Sequence, residues 1–261
     1  MAFDLENARQ FIAQADIPKP LLTSQGAEET PVFASLKDQA AVVGQDIFAF
    51  TSGTDGELRS AISDSALLAQ LIADQQIPDR KDVTSWYDAY FAVLRTVGWV
   101  VQDGGWSEIS EAGDGFEVHE KILDIAAVLL AGAPTALAVI TATLNALKSA
   151  SDDSPWIALF HRRAIKGESA RFQISLVQPS GDSALLVSLI AFALKSETVV
   201  TKILLFKVTK SRASLRNNSA QVSINLDALR DLAPDIRAKV RGWQRSYIAA
   251  LPDLGPPPGP E

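Results

Sequence analysis

The sequence predicts an α+β protein: a helical N-terminal half with a central apolar helical hairpin, followed by an antiparallel meander of about five strands and a C-terminal helix. Three observations lead there. The spacing of apolar residues changes from about 3.6 to 2 near residue 151. Beyond that point the links between apolar runs are too short to carry parallel crossovers. Finally, the 23 residues from Ile125 to Leu147 carry no charge, and Gly132-Ala133-Pro134 interrupts them near the middle.

Taken in order, residues 4–15 form a short helix, and Pro18, Pro20 and Pro31 break up the mixed stretch 16–53. Thr54 with Glu57 three residues on fits a capping box, and Leu58, Ile62, Leu68, Leu71 and Ile72 trace one face of the helix it opens. Val83, Trp86, Tyr87, Tyr90, Phe91, Leu94, Val97 and Val101 mark a second helix whose wide aromatic stripe reads as core. Asp103-Gly104-Gly105 ends it, and 106–117 is a connection.

In 118–150, glycine then proline mark the end of one helix and the start of the next. After Ser151-Asp152-Asp153, five strands are expected: 156–163, the alternating run around Phe172, Ile174 and Leu176, then 185–194, 199–208, and the alternating run around Val222, Ile224 and Leu226. The clean alternation of the first and last full strands implies one wet face. A last helix covers 227–250, with Pro234 in or near its first turn, and the proline-rich tail 252–261 is extended. The chain thus divides into a mainly helical region 1–150, a sheet-plus-helix region 151–250 packed with it as one unit, and a flexible tail 251–261.

Composition removes whole classes of chemistry. The 261 residues are 47% hydrophobic, enough for a buried core, with no cysteine and two histidines. Disulfides, thiol nucleophiles and thiolate metal sites are excluded, as is a multi-histidine centre. The net charge of −7 divides unevenly: residues 1–150 hold 9 Lys+Arg against 21 Asp+Glu, and residues 151–261 hold 15 against 10. A surplus of five cations spread over the second half is too sparse for a nucleic-acid surface.

Catalytic motifs are equally thin. His119 and His161 are the available bases, and no Gly-x-Ser-x-Gly elbow precedes a helix. Glu117, His119 and Glu120 resemble metal ligands only superficially, because Leu123 stands where a second histidine would complete His-Glu-x-x-His. Thr51 to Gly56 lacks the lysine of a phosphate loop, and Gly113-x-Gly115 is too short for a dinucleotide fingerprint. No cofactor and no metal are expected. Asn217-Asn218-Ser219 matches a glycosylation sequon, read as a chance match in a turn.

The uncharged stretch 125–147 therefore carries the functional reading. Its eight alanines, three threonines and lack of flanking aromatic residues argue against a constitutive membrane span. A buried hairpin fits best, followed by a sheltered hairpin that inserts into a membrane, as in helical pore-forming or toxin-like proteins. The inserting residues would be Ile125, Val128, Leu129, Leu130, Leu137, Val139, Ile140, Leu144 and Leu147. The expected function is that of a non-catalytic interaction protein, membrane-active through this hairpin. The alternatives are a carboxylate-dependent hydrolase and a soluble assembly protein whose hairpin is plain core. The partner is an unidentified protein or a membrane, not nucleic acid, and self-association stays open. The N-terminus lacks a basic start followed by an apolar core, so the chain reads as cytoplasmic when synthesised, with signal-independent export left open.

Overall fold

The computed structural model describes residues 3–18, 33, 37–79, 81–101, 105–109, 115–151, 154–180, 184–208 and 213–250. Along the chain, helix α1 (Leu5–Gln14) precedes strands β1 (Gln39–Val43) and β2 (Asp46–Phe50). Helices α2 (Gly56–Gln76) and α3 (Val83–Thr96) come next, then strands β3 (Trp99–Val101), β4 (Ser107–Ile109) and β5 (Phe116–Glu117). Three helices follow: α4 (Val118–Leu129), α5 (Pro134–Ser149) and α6 (Pro155–Ala164). Strands β6 (Ile165–Lys166), β7 (Ser169–Ser180), β8 (Ala184–Ser196), β9 (Lys207–Val208) and β10 (Ala213–Asn225) lead to helices α7 (Leu226–Val240) and α8 (Gln244–Tyr247) and strand β11 (Ile248–Ala250).

The fold is α+β with a mostly antiparallel sheet. Among the described residues nine strands form one sheet in the order β11-β1-β2-β7-β8-β10-β3, with β4 on β10 and β6 on β7. The long strands β7, β8 and β10 form the expected antiparallel centre. The sheet is nevertheless not a plain meander, because β2 pairs with β7 in parallel, Asp46 opposite Gln173. The long chain segment between these two strands makes the parallel pairing possible.

Period-2 alternation divides the interior into two cores. On one face Phe48, Phe50, Val177, Leu185, Val187 and Leu189 pack under α1, α2, α3 and α7. On the other face Ile47, Phe172, Ile174, Ile190, Phe192 and Leu194 pack under α4, α5 and α6. With both faces covered, β1, β2 and β8 read as continuous apolar runs.

Several expectations are corrected. The segment 156–163 is helix α6: Pro155 occupies its first turn, and the buried Trp156, Ile157, Phe160 and Ala164 recur at helical spacing. Only Lys207–Val208 of the run 199–208 is a strand. Val97 caps α3, and Val101 belongs to β3. The segment 16–53 holds β1 and β2, and the connection 106–117 holds β4 and β5. The cap of α2 is Asp55 rather than Thr54: its carboxylate accepts from the backbone N–H groups of Glu57 and Leu58. Pro234 lies inside α7, where its missing N–H leaves the carbonyl of Arg230 without its helical donor. Asn217, the acceptor of the sequon, lies half-buried within β10, not in a turn.

The wet face holds on β10, where Gln221, Ser223 and Asn225 are exposed, but fails on β7. There Arg171, Gln173 and Ser175 are buried beneath α2 and α3. The pair Asp152-Asp153 and the proline-rich tail lie outside the described residues.

Candidate functional site

The candidate site is the hairpin formed by α4 and α5. Leu130 closes α4 by donating its N–H to the carbonyl of Ala126, and Ala133 donates to Leu130 across the turn at 2.8 Å. Pro134 then opens α5, where a missing N–H costs nothing.

The structure separates the nine expected residues. Leu130, Val139, Ile140, Leu144 and Leu147 are buried and form part of the core beneath the hairpin. Ile125, Leu129 and Leu137 are half-buried and pack on its border. Val128 alone of the nine points outward, 81% exposed. It shares the tip with exposed Ala127, Ala131, Gly132, Pro134 and Thr135. A surface of this composition, without a charge between Asp124 and Lys148, is what distinguishes the tip from an ordinary solvated loop.

Hydroxyl chemistry suits the hairpin to an apolar setting. Thr141 donates to the carbonyl of Leu137 and Thr143 to that of Val139, both at 2.8 Å. Ser149 donates to Asn145 at 2.8 Å. Each hydroxyl is satisfied inside its own helix, which lowers the cost of moving the helix out of water.

The opposite end is anchored by polar contacts. The ammonium of Lys148 meets a carboxylate oxygen of Glu117 at 3.1 Å, joining the end of α5 to the start of α4. The N–H groups of Val118 and His119 donate to the carbonyls of Phe206 and Leu204. The imidazole of His119 is buried at this base. Burial lowers its pKa below the ordinary value, and the neighbouring Lys148 lowers it further, against opposing contributions from Asn145, Glu117 and Glu120.

Sequence reasoning missed a second polar assembly, between the sheet and α3. Tyr90 donates to a carboxylate oxygen of Asp46 at 2.8 Å, and Gln173 reaches the same oxygen at 3.3 Å. Arg171 binds Gln45 at 2.9 Å, pairs with Asp74, and stacks 3.9 Å from the centre of the Trp86 ring. Asp46 is fully enclosed, and desolvation pushes its pKa up to about 7. The alternation Arg171-Phe172-Gln173-Ile174-Ser175 was the available signal, read as a wet face when it marks a polar layer inside the protein.

For the hydrolase alternative, a cleft would need a carboxylate of perturbed pKa. Burial raises the pKa of Asp46, beneath α3, and of Asp64, on the buried side of α2, and neither is among the residues lining the open cleft between α2 and α7. Among the described residues no group of three or more His, Cys, Asp or Glu side chains is placed to hold a metal ion. No helix among them is long and apolar enough to cross a membrane.

No family model matches the chain, and no curated protein matches it. Some solved structures resemble it weakly. A delta-endotoxin shares 9% identity over 82% of this chain and 95% of its own, with a TM-score of 0.36. The activated Cyt2Ba monomer from Bacillus thuringiensis subsp. israelensis shares 11% identity over 74% of this chain and 100% of its own, with a TM-score of 0.33. The Evf virulence factor shares 11% identity over 95% of this chain and 91% of its own, with a TM-score of 0.35. Likenesses at this level establish neither a shared fold nor a shared activity.

Proposed function

We propose that this chain is a non-catalytic protein that acts at a lipid surface through the tip of the α4–α5 hairpin. The observation that carries the reading is the uncharged tip, with Val128 81% exposed and no ionisable group between Asp124 and Lys148. Dimensions limit how it acts. The 12 residues of α4 extend about 18 Å and the 16 of α5 about 24 Å. Both fall short of the ~30 Å hydrocarbon core, so the hairpin enters from one side without spanning it.

Vesicle co-sedimentation and dye leakage test the reading. Wild type is expected to bind and permeabilise vesicles of mixed phosphatidylcholine and phosphatidylglycerol. The substitution Val128→Asp places a charge at the tip and should cut binding by about tenfold or more, since a carboxylate in the apolar layer costs ~2–3 kcal/mol. Its melting temperature should hold, because the Val128 side chain faces solvent. Wild type that neither binds nor leaks vesicles between acid and alkaline pH overturns the proposal.

A further inference from the structure

A cleft of about 620 Å³ lies between the start of α2 and the outer face of α7, well away from the hairpin in sequence. Small apolar side chains line part of it, the buried Ala61 from α2 and the half-buried Ala233 and exposed Ala238 from α7. Three guanidinium groups from α7 and the turn after it line it: Arg230, Arg237 and Arg241. Spacings of seven and four residues bring the three onto one side of the helix.

Few of their donors are occupied. Arg241 has no hydrogen-bond or ion-pair partner among the described residues. Arg230 has a single long contact, 3.7 Å to Asp227, with both side chains mostly in solvent. Arg237 is held through Nε at 3.3 Å by the carboxylate of Asp64. Asp64 is itself buried, and it also accepts from Gln244 at 2.6 Å. A buried carboxylate thus fixes one guanidinium by a single nitrogen and leaves its forked Nη pair without a partner among the described residues. Such a fork matches the oxygens of a phosphate.

Two acids also line the cleft, Asp55 and Glu57. The Asp55 carboxylate is engaged as the cap of α2, and Glu57 sits in the first turn, where the helix dipole offsets its charge. The α7 side therefore keeps its cationic character.

We propose that this cleft binds an organic phosphate, with Arg230, Arg237 and Arg241 gripping the phosphoryl oxygens and the alanines that line the cleft taking the attached carbon chain. The same chemistry is offered by a soluble phosphate ester and by a phospholipid headgroup. The reading does not depend on the hairpin.

Calorimetry with glycerol 3-phosphate probes the first source, and co-sedimentation with phosphatidylglycerol vesicles probes the second. The test variants are Arg230→Ala and Arg241→Ala, both exposed residues, alone and together. Each is expected to weaken binding about tenfold, and added salt should weaken it further. Glycerol 3-phosphate binding that falls in these variants assigns a soluble ester. Vesicle binding that remains in Val128→Asp, where the hairpin tip is disabled, and that falls further when the arginine substitutions are added to it, assigns a headgroup and keeps this cleft separate from the hairpin tip. The proposal is overturned if wild type binds neither probe, or if binding survives the double arginine substitution.

Discussion

The carboxyl of Asp46 is the residue on which the stability of one face turns. Fully buried and bonded to Tyr90 and Gln173, it has a pKa of about 7 in the fold against an ordinary value of 3.8. The folded state therefore holds a proton that the unfolded chain releases at lower pH. The stabilisation is complete below about pH 4 and is lost as pH rises through about 7. The hydrogen bonds from Tyr90 and Gln70, and then the charge of Arg171, limit the shift, and burial keeps Tyr87 and Tyr90 neutral by raising their pKa well above the usual value. Asp46→Asn mimics the protonated form and should remove this slope, gaining a few kcal/mol over wild type at alkaline pH. Urea unfolding at acid and alkaline pH checks this, and equal slopes in the two proteins would refute it. His119 has the opposite sign. Its lowered pKa favours the neutral ring, so its contribution is full above 6.5 and fades as pH falls below that value. Protection of the α4 amides, taken relative to the intrinsic exchange rate at each pH, should fall on acidification in wild type, and less so in His119→Gln.

Among the elements, the long periodic ones were legible and the short apolar ones were not. Helix α3 announces itself because Trp86, Tyr87, Tyr90 and Phe91 can share one buried face only at 3.6-residue spacing. The hairpin was legible because glycine followed by proline punctuates an otherwise uncharged run. Helix α6 was misread because Trp156 to Phe160 is too short for its period to tell helix from strand. Strands β1 and β2 escaped notice because burial on both faces erases alternation. Their identity rests on the tight turn at Gly44-Gln45, where Gly44 has φ +62°. A Cβ there would lie 2.1 Å from Oε1 of Gln70, whose amide donates to the carbonyl of Val43 at 2.7 Å. Gly44→Ala should cost roughly 1–3 kcal/mol in equilibrium unfolding. In the hairpin, Leu144→Ala opens a cavity against the sheet and should cost about 2–5 kcal/mol, where Val128→Ala changes little.

At the scale of the whole molecule, the charge boundary near residue 151 is not a boundary in space. The acidic half supplies α2 and α3 to one face of the sheet and α4 and α5 to the other, and its β2 pairs directly with β7 of the basic half. Charge is a property of surfaces and is silent about which strands meet. A parallel pairing between segments more than a hundred residues apart leaves no local trace in either one. A fragment of residues 1–150 is accordingly expected to lack a cooperative melt, because β2 loses its partner and both cores lose the central strands. A sharp thermal transition by circular dichroism would contradict this.

The placement of the hairpin over the sheet has a kinetic consequence. With α6 the hairpin covers the core that holds Phe172, Ile174, Ile190 and Phe192, all at most 3% exposed. A hairpin that swings toward a lipid surface removes the cover from these rings and branched chains, and water is a poor replacement. Departure and re-covering are then coupled, and the nearest available cover is another molecule in the same condition. The rate of vesicle leakage should consequently rise faster than in proportion to protein concentration, whereas a hairpin acting alone would give a first-order dependence.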